Sequence, residues 1–418
     1  MVLEHSFPLL SYDSMGRAQT LTSGGSTVTS ATYGTANELL SLNGQTFTYN
    51  TLFQLTRIQG NGIDISYAYS ASQNNGKFTS QTDNVSGEQV VYTYDSLQRL
   101  ATALTTPATG VPQWGQRYTY DRWGNLTDQD VYNPNNDPNL AAPTYHVAVD
   151  AHTNRTLYSG GFDANGNATD GINSAFDVEN RLAWMYASSN IVNYGYAADN
   201  KRVFKALLTT PGGVPTLSSE EVYFYSVTGQ KLGTYSISGD QSPAFTQTST
   251  NVWFGGRLIQ RNGSTVAPDR LGSIGKYYPY GQEKGSGNPA NGVEKFATYT
   301  RDAETGLDYA DQRYHGPGTG RFLSPDPFAG SRRPQKPGSW NRYAYVGGDP
   351  VNRRDPSGLC DVVVGGITQS STSSLGLNLF STAIGATQAF PYAGGPSVPE
   401  GLAAVFGQGV YGASSETL

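Results

Sequence analysis

The chain has 418 residues, with 50 glycines, 28 tyrosines, 16 phenylalanines, a single cysteine, only 14% charged residues and a formal net charge of −6. So many rings with so little charge exclude a disordered chain, and the lack of long Ala/Leu/Glu/Lys-rich stretches excludes a helical bundle. The lone Cys360 excludes an internal disulfide and any zinc site built on four cysteines or on two cysteines and two histidines, and the acidic balance gives no electrostatic footprint for nucleic acid or anionic lipid.

In chain order, the N-terminal MVLEHSFPLL carries Glu4 where a secretion signal needs basic residues, and no run is apolar enough to predict a membrane span. Tyr12-Asp13-Ser-Met-Gly16-Arg17 then opens a series of related motifs. It continues at Tyr49-Asn50, Tyr94-Asp95, Tyr120-Asp121, Phe162-Asp163, Phe176-Asp177, Tyr196-Ala197 and Tyr225-Ser226. In most of these an Asp, Asn or Ser after the ring can bond the backbone two residues on. Three positions after it, six of the eight motifs place a Gly or Asn that accepts positive φ. Together these predict a type I turn closed by a left-handed residue and a bulge, joining antiparallel strands. Alternating stretches such as Gln89–Tyr94 and Glu220–Tyr225 supply the strands, and Asn133–Pro138 and Thr209–Pro215 read as inserted loops.

These units resemble the tyrosine-aspartate repeats of the RHS family, which includes bacterial RHS toxins, the C components of insecticidal toxin complexes, wall-associated proteins and the shells of teneurins. From Asp269 the motifs become dense. Asp269-Arg-Leu-Gly-Ser-Ile274, Tyr278-Pro-Tyr-Gly281, Arg301–Tyr309, Gln312-Arg313-Tyr314, Gly320–Pro327, Asn341–Tyr345 and Asp355-Pro-Ser-Gly-Leu359 follow in the order of the RHS repeat-associated core domain. The resemblance implies an all-β fold in which a ribbon of antiparallel strands (1–268) spirals into a partial shell. A core plug (269–359) and a variable tail (360–418) would follow.

It also implies a chemistry. Many family members are cut just after the Pro-x-Gly-Leu motif, with a proposed aspartyl-protease chemistry, and the resemblance would make Asp326 and Asp355 the carboxylate pair and Leu359–Cys360 the scissile bond. Two carboxylates sharing one water divide into acid and base because like charges push their pKa values apart. The competing reading is turn chemistry, since Asp-Pro also occurs at 137–138 and 349–350. The sequence departs from some family members in having Pro325 before Asp326, where they carry arginine, and a long basic link from Ala329 to Trp340. Arg321, Arg332, Arg333, Lys336, Arg342, Arg353 and Arg354 read either as tuning of the cut site or as a soluble loop.

His5, His146, His152 and His315 have no metal-ligand spacing, and no cofactor is expected. Cys360 reads as a small apolar residue rather than a nucleophile. From Cys360 onward, 59 residues lack Lys and Arg, with one possible helix at 375–390, and carry no recognisable catalytic set. Eight repeats are few for a closed chamber, so the chain reads as part of a larger shell or as a partial barrel. The expected partners are its own C-terminal polypeptide as cargo and other shell or secretion-apparatus subunits, at the cell surface or outside it. The function implied is encapsulation and release of that polypeptide in competition or toxin delivery. The alternative is a non-enzymatic adhesion protein that binds glycans or proteins through its tyrosine-lined strands.

Overall fold

A computed structural model describes residues 9–157, 161–169, 173–210, 213–239, 242–331, 335, 337–359 and 361–364. Among these residues there is no α-helix, and no helix is long and apolar enough to cross a membrane. Thirteen strands, from β1 (Leu9–Tyr12) to β13 (Tyr145–His146), form one sheet in strict chain order. Nine more, from β14 (Ser174–Phe176) to β22 (Ser264–Thr265), form a second sheet in the same manner. Every pairing is antiparallel between sequence neighbours, so each sheet is an open meander and neither is a closed barrel. The all-β ribbon anticipated from the motifs is the fold observed.

The turns explain the repeat. At Asp121 the backbone N–H donates to Asn125 O (3.1 Å), and the Gly124 N–H donates back to Asp121 O (3.1 Å). The Asp121 carboxylate accepts the Trp123 and Asn125 N–H groups at 2.8 and 2.9 Å. The same backbone pair closes all eight predicted turns, and the fourth residue always has positive φ, from 56° at Phe53 to 91° at Gly166. Phe53 and Gln98 adopt this conformation without being Gly or Asn, at a cost of order 1 kcal/mol each, because the flanking ladder dictates it. A further turn of this kind, Tyr33-Gly34-Thr-Ala-Asn37-Glu38, lacks the signature acid. There the Glu38 carboxylate fills the space where a side chain on Gly34 would lie, and accepts the Ala36 N–H (2.9 Å).

The tyrosines are placed for a second reason. Six of them lie with the ring at the sheet-core boundary and the hydroxyl donating to a carbonyl at the start of an earlier return strand. Tyr33 reaches Ala18 O (2.8 Å), Tyr49 Leu39 O (3.0 Å), Tyr94 Phe78 O (2.9 Å), Tyr120 Leu100 O (2.9 Å), Tyr196 Leu182 O (2.8 Å) and Tyr225 Arg202 O (2.8 Å). Basic residues near the ends of preceding turns stack on these rings, Arg17 over Tyr33 at 4.7 Å and Arg99 over Tyr120 at 4.5 Å. One aromatic thus ties each hairpin to its neighbour through both its face and its tip.

The stretch after 269 packs against both sheets. Its own small sheet comprises β23 (Thr300–Arg301), β24 (Asp308–Ala310), β25 (Arg313–Gly316) and β26 (Arg321–Phe322). Tyr280, Phe296, Phe322 and Tyr345 join Ile58, Phe78, Leu100 and Leu126 of the first sheet in one buried cluster. Tyr309 and Tyr314 join Leu182, Val192 and Tyr194 of the second. Ion pairs cross the same contacts, buried for Arg202 with Asp302 (2.7 Å) and Lys231 with Glu294 (2.8 Å) and part-buried for Lys77 with Asp349.

Candidate functional site

Asp326 follows β26, and Asp355 follows β27 (Arg353–Arg354). β27 pairs with β28 (Val362–Val363), and the predicted cut after Leu359 falls between these two strands in the sequence. Both aspartates are buried, 9% and 3% exposed. Each first makes the turn its Asp-Pro pair predicts: Asp326 Oδ1 accepts the Phe328 N–H (2.8 Å), and Asp355 Oδ1 accepts those of Ser357 (3.3 Å) and Leu359 (3.0 Å). Asp137 and Asp349 do likewise, so turn chemistry is common to all four pairs.

What sets the pair at 326 and 355 apart is Arg313 of β25, 4% exposed, with its guanidinium stacked 3.6 Å from the Phe322 ring centre. Nη2 donates to Asp355 Oδ2 (3.1 Å), Nη1 to Arg342 O (3.1 Å), and Nε to Gly358 O. Arg342 O also accepts the Asp326 N–H (2.9 Å). Burial pushes the Arg313 guanidinium below its ordinary pKa, opposed first by the charge of Asp355 and then by that of Asp326. The two carboxylate loops therefore meet around one cation. Tyr299 closes the back of the site by donating its hydroxyl to Asp355 O. Gly358, at φ 71°, has no room for a side chain, because a Cβ would lie 2.6 Å from Ala310 O.

Of the basic residues singled out in the sequence, Arg332, Arg333 and Lys336 lie outside the described residues, as do Cys360 and the helix expected at 375–390. The others sit in specific contacts. Arg321 bonds Asn125 and Asn154 O, Arg342 bonds the carbonyls of Asp326 and Phe328, Arg353 pairs with Asp361, and Arg354 donates to Leu271 O (2.8 Å). His315 is fully buried, His146 and His152 are exposed beside aspartates, and His5 lies outside the described residues. Among the described residues no group of three or more His, Cys, Asp or Glu could hold a metal ion. Sequence reasoning did not single out Arg313, although it stands in the Gln312-Arg313-Tyr314 motif. Nothing local marks which arginine of an arginine-rich stretch will face a carboxylate.

No family model matches the chain. Among curated proteins, a tRNA3(Ser)-specific nuclease WapA of Bacillus spizizenii is 28% identical over 262 residues, 58% of this chain and 11% of that protein. The crystal structure of TcdB2-TccC3-Cdc42 is similar over 84% of this chain and 20% of the other, with 20% identity and a TM-score of 0.58. That of TcdB2-TccC3 without its hypervariable C-terminal region gives 21% identity, 84% of this chain, 20% of the other and 0.58. The chain therefore spans about a tenth of the curated relative and a fifth of the solved chains, and at these identities the structures establish a shared fold.

Proposed function

We propose that this chain is an RHS-type shell segment whose residues 1–268 form wall, whose residues 269–359 form a core, and which releases its C-terminal polypeptide by cutting itself after Leu359. The observation that carries the reading is the convergence of both carboxylate loops on Arg313, with the Leu359 N–H held on Asp355. Asp355, held in place by the Arg313 guanidinium, is positioned as the base that takes a proton from water. The water oxygen attacks the Leu359 carbonyl carbon, and Asp326, in the role of acid, passes a proton to the departing Cys360 nitrogen as the C–N bond breaks. One water is consumed, leaving a carboxylate at Leu359 and an amine at Cys360. The likeness to TccC3, which has a hypervariable C-terminal region, and to a nuclease supports a toxin-delivery setting. Intact-mass spectrometry of the purified chain tests this. A species ending at Leu359, absent from Asp355→Asn and Asp326→Asn, is expected. Only uncut wild-type chain would refute self-cleavage and favour a purely binding role.

A further inference from the structure

We infer that Arg313 is a positioning residue that couples the two carboxylate loops to the peptide being cut, an assignment that rests on the cleavage reading above. Three acceptors, two from the loop after β27 and one from Arg342, converge on its one planar group. Nη2 holds Asp355, Nη1 holds the carbonyl of Arg342, which also accepts the Asp326 N–H, and Nε holds the carbonyl of Gly358. Gly358 immediately precedes Leu359, so the guanidinium grips the chain one residue before the scissile carbonyl. The same chain is gripped again from Asp355 Oδ1, which accepts the Leu359 N–H at 3.0 Å. Base and substrate are thus fixed to a common rigid fork.

The geometry suits arginine and no other residue. A guanidinium presents donors along fixed, divergent directions in one plane, whereas a lysine ammonium is a single point on a flexible stem and cannot reach three acceptors so arranged. Phe322 lies beneath the group at 3.6 Å and holds that plane in place. The position before Asp326 is Pro325, so no cation enters from that neighbour, and the charge reaches the site from β25 instead. Specificity follows as well. Nε reads a backbone carbonyl, and the left-handed residue carrying it must be glycine, because a Cβ there would collide with Ala310 O. Arg313 and Gly358 together define where the chain is presented, independently of the side chain at the cut.

The test uses the full-length chain, purified in urea and diluted into buffers from pH 4 to 9, with appearance of the 1–359 fragment followed by intact mass. Arg313→Met removes charge and fork together. It should slow cleavage and move the pH of half-maximal rate upward, since a base loses its neighbouring cation. Arg313→Lys keeps the charge but not the fork, so its rate should fall at least about tenfold while its pH midpoint stays near that of wild type. A merely structural role would lower the yield of folded chain without moving the midpoint. If Arg313→Met does not fold, Arg313→Lys decides alone, and an unchanged rate overturns the inference. Wild type that never cuts refutes the cleavage reading itself. Wild type that cuts beside Arg313 variants of unaltered rate and profile leaves that reading standing and overturns only the role of Arg313.

Discussion

Replacing Tyr94 by phenylalanine removes one oxygen atom and two hydrogen bonds. The hydroxyl donates to Phe78 O (2.9 Å) and accepts from Asn352 Nδ2 (2.9 Å), while Asn352 Oδ1 accepts the Phe78 N–H (3.1 Å). Strand, ring and core loop therefore close a cycle around this hydroxyl. At about 1 kcal/mol per neutral bond, with the Phe78 carbonyl left short of a donor, the loss should be about 2–3 kcal/mol. Tyr33→Phe is the internal control, because its hydroxyl makes one bond, to Ala18 O at 2.8 Å, and its ring is half-buried, so about 1 kcal/mol or less is expected. Urea unfolding followed by tryptophan fluorescence, fitted with a common slope, reads the difference. If Tyr94→Phe costs no more than Tyr33→Phe, the tyrosine tips do not fasten the sheet to the core.

Two further outcomes follow from buried charge. Asp302→Ala strands the Arg202 guanidinium among Tyr194, Tyr223 and Tyr309 and should cost about 3–5 kcal/mol, most of it recovered by adding Arg202→Met; thermal melts of the single and double variants check this. His315 is fully buried between Tyr345 and Phe322, and Asp308, 3.6 Å from its Nδ1, is already held by Arg301. Burial lowers its pKa from 6.5, against the opposing pull of Asp308. The unfolded chain then takes up a proton near 6.5 that the folded chain refuses. Stability from this group is full above that pH and is lost as pH falls towards the depressed folded value, by up to about 1.4 kcal/mol per pH unit. His315→Phe should flatten urea midpoints measured between about pH 7 and pH 5, and an unchanged pH slope would show that the histidine does not contribute.

Much of the ribbon was legible because its instructions are local. The acid of Asp13, Asp95 or Asp121 reaches backbone two and four residues on, and the left-handed residue follows at a fixed offset, so the turn can be read without knowing the fold. Even Phe53 and Gln98, which break the residue preference, were found through their position in the motif. The turn at Gly34 escaped because its acid is supplied from Glu38, four residues later.

The residues of the candidate site were visible only as motifs. Asp326 and Asp355 looked like two of four Asp-Pro turns, and all four do make turns. Their grouping around Arg313 depends on strand pairing that brings 313, 342 and 355–359 together, and an arginine's partners 29 to 45 residues away leave no periodic trace. Sequence by itself settled the hairpin wall, since its turns are made within five residues. Tertiary structure alone decided which buried charges face each other, because an ion pair such as Arg202 with Asp302 is chosen by the packing of one sheet on another.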